Sequence, residues 1–328
     1  MGITFSVVIP AYNEAANIRK CIRSVKESGM GEEILDLIVV DNGSTDSTVE
    51  IAKKEGLDVI ENTSGVRKTI AALRNSGGRR ARGDVLVFLD ADIVVPDNFF
   101  HRAKDFFSGG FKGVLGFVER VPQDAGWLGK VWSECLFLKR SRLMEVDFLP
   151  GRNLFVNREV FEKINGFNES LITCEDKDFT FRAIRAGFKV MSVPDTAYIH
   201  LGYEKSLWEF VKKEFWRQGS TLEFARLWHF SFRSLRNPML SFWHIFFFLL
   251  FISAVVFFKS TVVLTASVLW LFPSVVMTVR TGGKRNFSFY FMGFVLEFLK
   301  WNISGIALVT QLLKGKPFRT EISNLLIP

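Results

Sequence analysis

Two aspartates stand one residue apart at the end of an apolar run. Residues 84–95 read DVLVFLDADIVV, with Asp90 and Asp92 leaving the stretch. Carboxylates this close repel unless a positive group sits between them. If the backbone turns there, both can reach one divalent cation. Oxygen ligands suit a hard ion, Mg²⁺ or Mn²⁺, which keeps open positions for phosphate oxygens. A lone D-x-D also serves as an acidic turn capping the next element. Company favours the cation, because Tyr12-Asn13-Glu14 and Asp41 likewise follow apolar runs.

The elements that must position these groups alternate. FSVVI (Phe5 to Ile9) reads as a strand buried on both faces and ended by Pro10. Asn13 is expected to cap the helix that follows, which carries Ile18, Ile22 and Val25 on one face and stops at Gly29. LDLIVV (Leu35 to Val40) is a second strand, and Ser47 with Glu50 suits a capping box on the second helix. Leu57 to Ile60 is a short strand, Thr69 to Arg82 a helix and Val85 to Leu89 a buried strand. Further on, Phe155 and Val156 suit a strand and Arg158 to Ile164 a short helix. An amphipathic helix begins at Asp176 and ends at Gly187. Strands alternating with helices imply an α/β, Rossmann-like, mostly parallel sheet, in which ligands bind beyond the carboxyl ends of the strands. No G-x-G-x-x-G follows the first strand and no G-x-x-x-x-G-K-[ST] appears, which weakens the usual dinucleotide and P-loop readings.

The 328 residues carry a net charge of +8, with 35 phenylalanines placed unevenly. Much of the basic excess flanks apolar segments, which favours an anionic leaflet over nucleic acid; no nucleic-acid recognition motif accompanies it. Cys21, Cys135 and Cys174 form neither a metal pattern nor a disulfide framework, so a reducing compartment fits. MGITFSVVIP reads as a strand and not a signal peptide, so the first domain is expected to stay in the cytoplasm.

From about Trp208 the chain turns aromatic and basic, then apolar. Met239 to Phe258 is long enough to cross a hydrocarbon core of about 30 Å. Thr261 to Val279 is a second such segment, with Pro273 inside it. Arg226, Arg233 and Arg236 before the pair, and Arg280, Lys284 and Arg285 after it, put both outer ends in the cytoplasm. Phe287 to Leu313 is apolar but carries Glu297, Lys300, Ser304 and Gln311 along one stripe, which suits an interfacial or re-entrant helix. Lys314, Lys316 and Arg319 follow it. The expected organisation is a catalytic domain over 1–200, a juxtamembrane amphipathic segment over 201–237 and a transmembrane hairpin over 238–280. An interfacial or re-entrant helix with a tail fills 281–328. The protein is expected in the cell membrane, multi-pass, with its catalytic domain cytoplasmic.

SVVIPAYNEAANI, LIVVDNGSTDST, GDVLVFLDAD, NGF and CEDKD occur in that order over roughly Ile3 to Val193. Each is weak alone; together the series resembles family 2 glycosyltransferases of the GT-A fold. The resemblance implies inverting, metal-dependent transfer of a sugar from a nucleotide-sugar, UDP first and GDP next. On it, Pro10, Ala11, Tyr12, Glu14 and Asp41 hold the nucleotide, with Asp41 on the base or ribose; a turn-forming role is the alternative for Asp41. Asp90 lies near the ribose or metal and Asp92 binds the metal. Glu175-Asp176 resembles the family's ED motif. A neutral hydroxyl is a poor nucleophile, so Asp176 is assigned as base and Glu175 as its neighbour; two acids that merely stabilise a helix start are the alternative. His200 in YIHLG stands where some relatives place a third metal ligand, and an ordinary strand-end histidine competes with that reading. Arg74 in ALRNSGG matches a signature near the donor. Arg152 in GRN stands where relatives line the sugar pocket. Arg217 in FWRQG resembles a diphosphate clamp but lacks the full Q-x-x-R-W pattern, which argues against a processive polymerase.

An anchored transferase beside headgroups most economically serves a lipid-linked acceptor, because diffusion is confined to two dimensions. Competing readings are a transferase building a surface polysaccharide on a glycan acceptor, and a non-catalytic membrane scaffold with a decayed transferase domain.

Overall fold

The apolar run of the first strand, FSVVIPA, is buried along its whole length as β1 (Phe5–Ala11). The computed structural model, which describes residues 2–137, 143–280 and 285–314, places it in a sheet of nine strands. The remaining strands are β2 (Ile34–Asp41), β3 (Asp58–Glu61), β4 (Val85–Leu89), β5 (Ile93–Val94), β6 (Gly113–Arg120), β7 (Met144–Glu145), β8 (Asn153–Asn157) and β9 (Lys189–His200). Their order is β3-β2-β1-β4-β8-β6-β9-β5, with β7 on β9. The first four are parallel, as alternation with helices requires. From β8 the sheet turns mixed: β8 runs antiparallel to β4 and β6, and β6 lies parallel to β9.

Period-two alternation divides the core. Val7 and Ile9 face one layer with Ile18, Cys21, Ile22 and Val25 of α1 (Ile18–Lys26) and Phe99 and Phe100 of α4 (Phe99–Ser108). Val8 faces the other layer, with Leu73 of α3 (Ile70–Arg80), Phe161 of α6 (Arg158–Lys163) and Phe179 of α7 (Glu175–Arg185). Phe5, Phe99, Phe100 and Phe155 meet in edge-to-face and tilted pairs at ring separations of 5.1–6.1 Å. Each fully buried ring contributes about 1.5–3 kcal/mol.

Two cap expectations fail for a shared reason. Asn13 caps nothing; it takes a left-handed conformation (φ 53°), its Oδ1 accepts from Thr45 N–H at 2.9 Å, and the helix begins at Ile18. Ser47 precedes α2 (Thr48–Lys54) without a side-chain cap, because Asp46 Oδ1 accepts the Thr48 N–H at 3.0 Å. Both polar loops use their side chains on each other instead.

The chain divides into two compact units, Met1–Gln123 with Arg140–Tyr203, and Asp124–Lys139 with Glu204–Pro328. The second unit therefore also takes α5 (Trp127–Phe137), a segment the sequence reading kept in the catalytic domain. Besides α5 it contains α8 (Leu207–Arg217), α9 (Thr221–Leu227), α10 (Phe232–Val256), α11 (Ser260–Val279) and α12 (Phe287–Lys314). Helices α10, α11 and α12 are long and apolar enough to span a bilayer, with mean hydropathies of 2.3, 2.1 and 1.4. They pack on one another with polar groups inward: His244 Nε2 lies 3.0 Å from Ser274 Oγ, and Trp270 Nε1 donates to Asn302 Oδ1 at 3.0 Å. Phe246, Leu249, Leu264 and Phe258 point outward and are exposed. The polar stripe of α12 is turned inward, with Glu297, Ser304 and Gln311 buried. Lys284, Lys316 and Arg319 lie outside the described residues.

Gly83 sits where β1 and β4 begin. A Cβ there would lie 2.5 Å from the Phe5 carbonyl carbon and 2.7 Å from Ser6 N. Backbone on both sides leaves nothing flexible to yield. Gly83→Ala is expected to destabilise the first unit by about 1–3 kcal/mol, read as a lower thermal midpoint in detergent; an unchanged midpoint would contradict this packing.

Candidate active site

The carboxyl ends of β1, β2 and β4 form the floor of the site. Register places Ala11 opposite Asp41, and Val8 opposite Phe88, two residues short of Pro10 and Asp90. Pro10 and Ala11 are buried strand residues. Tyr12 follows them, half-buried, with the Arg67 guanidinium 3.6 Å from its ring centre. The loops after β1 and β2 are laced together: Asn13 N–H donates to Ser44 Oγ at 2.9 Å, Glu14 N–H to Thr48 Oγ1 at 2.8 Å and Ala15 N–H to Asp46 Oδ2 at 3.0 Å. Asp41 is 2% exposed and closes its own turn, accepting from Gly43 and Ser44 N–H at 2.8 and 2.9 Å. Burial raises the Glu14 carboxyl to about 7, with Asp92 and Asp90 adding to the shift.

Arg74 joins the two halves of the site. It is 3% exposed on α3 and reaches Glu175 Oε1 through Nη1 at 2.8 Å and Asp90 Oδ1 through Nη2 at 3.0 Å. Gly151 makes room for it, since a Cβ there would meet the guanidinium at 2.6 Å. The Gly151 N–H donates to Asp176 Oδ2 at 2.9 Å, and Lys177 N–H donates to Asp176 Oδ1 at 2.7 Å. Thus GRN and the ED pair meet at a single glycine. Asn75 fixes the NGF turn, donating to Phe167 O at 2.9 Å and accepting from its N–H at 2.7 Å.

Glu175 and Asp176 open α7 behind Cys174, which is left-handed at φ 66°. A non-glycine residue there costs of order 1–3 kcal/mol and is typical of functional sites. Burial raises both carboxyls. Glu175 reaches about 7, with Asp176 raising it further and Arg74 opposing; Gly151 N–H and Arg74 restrain Asp176.

On the far side, β9 carries His200 between two carboxylates. Its Nε2 lies 3.2 Å from Asp92 Oδ2 and its Nδ1 lies 3.0 Å from Glu119 Oε1. Glu119, on β6, also accepts from Tyr198 OH at 3.1 Å and pairs with Arg152 Nη1 at 3.1 Å. Burial opposes the Glu119 charge, but Arg152, His200 and the Tyr198 hydroxyl outweigh it and hold the carboxyl at about 2. Burial likewise opposes the His200 charge, yet Asp92 and Glu119 lift it to about 9. Sequence reasoning missed Glu119. The signal was available, because it stands at the carboxyl end of a strand like Asp41 and Asp90, but GVLGFVER is too glycine-interrupted to announce that strand.

Among the described residues, no group of three or more His, Cys, Asp or Glu is gathered for a metal ion. Asp92 and His200 Nε2 nevertheless suit Mn²⁺ or Mg²⁺, and Gly202 keeps space beside them: a Cβ there would contact the Asp92 carboxylate and lie 3.1 Å from His200 Nε2. Asp90 instead turns Oδ1 to Arg74. Two protein ligands fit an ion whose remaining positions are filled by phosphate oxygens and water. Arg217 belongs to the second unit, where Glu204 holds it at 2.6 Å and Glu214 also pairs with it.

Comparison with known proteins follows the same geometry. The family described as Glycosyl transferase family 2 matches residues 6–165, which include the strand ends of β1, β2 and β4. Glycosyltransferase AglE of Haloferax volcanii is 30% identical over 64% of this chain and 70% of its own length. The chain spans only 53% and 33% of two further curated relatives. Among solved structures, the mannosyltransferase PcManGT from Pyrobaculum calidifontis, in complex with GDP-Man and Mn²⁺, has a TM-score of 0.62 at 17% identity, covering 96% of this chain and 88% of that one. S. aureus TarS in complex with UDP-GlcNAc has a TM-score of 0.52 at 16% identity, covering 97% and 93%. With its carboxylates at the ends of a half-parallel sheet and a relative sharing most of its length, this chain belongs to glycosyltransferase family 2 and is a glycosyltransferase built on the GT-A fold.

Proposed function

We propose that the protein transfers a sugar, with inversion, from a nucleotide-sugar, foremost a UDP-sugar, to a lipid-linked acceptor at the membrane, using a divalent cation. The carrying observation is the Arg74 bridge. One buried guanidinium ties Asp90, on the donor side, to Glu175, beside the base. Pro10, Ala11, Tyr12, Glu14 and Asp41 are the proposed nucleotide cradle, with Arg152 toward the sugar and diphosphate. The solved neighbours named above hold GDP-Man with Mn²⁺ and UDP-GlcNAc, which supports the donor class and the ion.

In the proposed reaction the acceptor hydroxyl oxygen attacks the anomeric carbon opposite the diphosphate. The new C–O bond forms as the bond to the diphosphate oxygen breaks, and the electron pair leaves with the nucleotide. A single displacement of this kind inverts the configuration. The acceptor proton passes to Asp176, whose two oxygens are aimed by the Gly151 and Lys177 N–H groups. Arg74 gives the adjacent pair a countercharge that opposes the rise of both carboxyls. Asp92 and His200 would hold the cation, which supplies neutralisation of the departing diphosphate.

Three apolar helices support membrane attachment. Arg226, Arg233 and Arg236 before α10, with Arg280 and Arg285 after α11, support a cytoplasmic catalytic domain. Headgroup proximity then supports a lipid-linked acceptor.

Asp176→Asn is expected to lower kcat by about 10²–10⁴-fold while donor binding, read by thermal shift, stays within a few-fold. Because a base must be ionised and burial raises the Asp176 carboxyl above the ordinary carboxylate range, kcat should fall as the pH is lowered from neutral; a rate flat to pH 5 would remove the pair from the chemistry. Chelation should abolish transfer, and Mn²⁺ with UDP or GDP should raise the thermal midpoint of wild type but not of Asp92→Asn. Protein in nanodiscs given labelled nucleotide-sugars and a lipid extract should place label in the organic phase. Label confined to water-soluble products would reject the lipid acceptor and leave the transferase standing.

A further inference from the structure

Beside the proposed ligands lies a carboxylate to which the transfer chemistry assigns no task. Glu119 is buried at the carboxyl end of β6, and its two oxygens have different company. Oε1 faces His200 Nδ1 at 3.0 Å, while Oε2 takes Arg152 at 3.1 Å and the Tyr198 hydroxyl at 3.1 Å. Backbone pairing fixes this arrangement. Strand β9 lies between β6 and β5, with Tyr198 opposite Glu119 and His200 opposite Ile93. The His200 ring is therefore bracketed, Glu119 from one neighbour on Nδ1 and Asp92 from just before the other on Nε2.

We propose that Glu119 is the positioning residue of the cation site, holding the His200 imidazole by Nδ1 so that Nε2 is presented beside Asp92 to a divalent ion. This rests on the cation reading given above. An imidazole N–H can point to only one strong acceptor, and that choice fixes the tautomer. With Nδ1–H given to Glu119 Oε1, the proton that Nε2 shares with Asp92 is the one a cation must displace, and its loss leaves the Nε2 lone pair beside the Asp92 carboxylate and Gly202. Arg152 Nη1 also lies 3.1 Å from Nδ1 but is itself a donor, so its partner is Glu119 Oε2. A bland account makes Glu119 only the countercharge of Arg152. It leaves unexplained why the second oxygen is spent on the histidine ring.

The test is a Mn²⁺ titration of the full chain in nanodiscs, with whichever of UDP and GDP stabilises wild type, read by the EPR signal of free Mn²⁺. Glu119→Ala is expected to weaken Mn²⁺ binding about 10–100-fold, toward His200→Ala, and Glu119→Gln about tenfold. Pulsed EPR should show histidine nitrogen coupling to bound Mn²⁺ in wild type, none in His200→Ala and less in the Glu119 variants. Thermal unfolding in EDTA checks that each variant folds; if Glu119→Ala does not, Glu119→Gln decides. Mn²⁺ binding by the folded Glu119 variants within twofold of wild type, while His200→Ala loses it, overturns this inference alone. Recovery of wild-type binding in a Glu119→Gln, Arg152→Gln double variant would also overturn it, since charge balance would then suffice. No Mn²⁺ binding by wild type with either nucleotide would sink the cation reading and this inference together.

Discussion

A guanidinium buried between two carboxylates is the constraint on which the catalytic unit turns. Arg74 is 3% exposed, and its Nη groups hold Glu175 and Asp90 at 2.8 and 3.0 Å. Removing ions from water costs several kcal/mol each, and the pairing repays it only with good geometry. Replacing such a set by apolar residues is often neutral or stabilising, so stability alone is a poor reason to keep it. What the set does achieve is location. Asp90 leaves β4, Glu175 opens α7, and Arg74 comes from a third element, α3. Their common contact pins a strand end to a helix start to within a hydrogen bond. Gly151 completes the constraint, because only a residue without Cβ can lie against the guanidinium while giving its N–H to Asp176.

The rest of the site repeats the device with different charges. Glu119 sits among Arg152, His200 and Tyr198, so charge alternates along a buried row from Asp92 through His200 and Glu119 to Arg152. A cation taken at Asp92 and Nε2 would replace the imidazole's Nε2 proton, while Glu119 and Arg152 keep each other as opposite neighbours. The two rows meet in the D-x-D: Asp90 belongs to the Arg74 set and Asp92 to the His200 set. Two aspartates one residue apart, which looked like a repulsive pair, are thus held by different partners. The Coulomb problem posed by their spacing is solved separately for each.

Much of this arrangement was legible because parallel strands announce themselves. FSVVI, LDLIVV and VLVFL are short, apolar and bounded by turn residues, and the carboxyl-end rule then picks out Tyr12, Glu14, Asp41, Asp90 and Asp92. Glu119 obeys the same rule and was hidden, because Gly113 and Gly116 break the pattern of β6. Side-chain partners were less legible than positions. Asn13 and Ser47 have the residue types of helix caps, but caps compete with any nearby backbone N–H, and the facing loop supplied those donors. Asp41 likewise has the composition of a ligand-binding acid, yet its carboxylate also closes the turn at Gly43 and Ser44. The segment Trp127–Phe137 falls with the second unit through Leu128, Val131, Trp132 and Cys135, which pack with Phe210 and Leu296, a long-range packing that its local pattern does not announce.

Composition picks out three apolar helices in the second unit more readily than it assigns a role to the last of them. In water, polar residues along one side of an apolar helix face out; the stripe Glu297, Lys300, Ser304, Gln311 suited an interfacial or re-entrant helix. In hydrocarbon the preference reverses, since a polar group is better placed against another polar group than against lipid. The polar side chains of the last helix meet polar partners: Ser304 meets Gln218 at 3.0 Å, Gln311 donates to the Gln218 carbonyl at 2.5 Å, and Glu297 faces Lys300 at 3.4 Å. Meanwhile Phe246, Leu249 and Phe258 are exposed. An apolar exterior over a hydrogen-bonded interior is the pattern that membrane association favours. The same side-chain stripe thus carries opposite structural meanings in the two solvents, and a helix of mean hydropathy 1.4 lies where residue counting cannot choose between them.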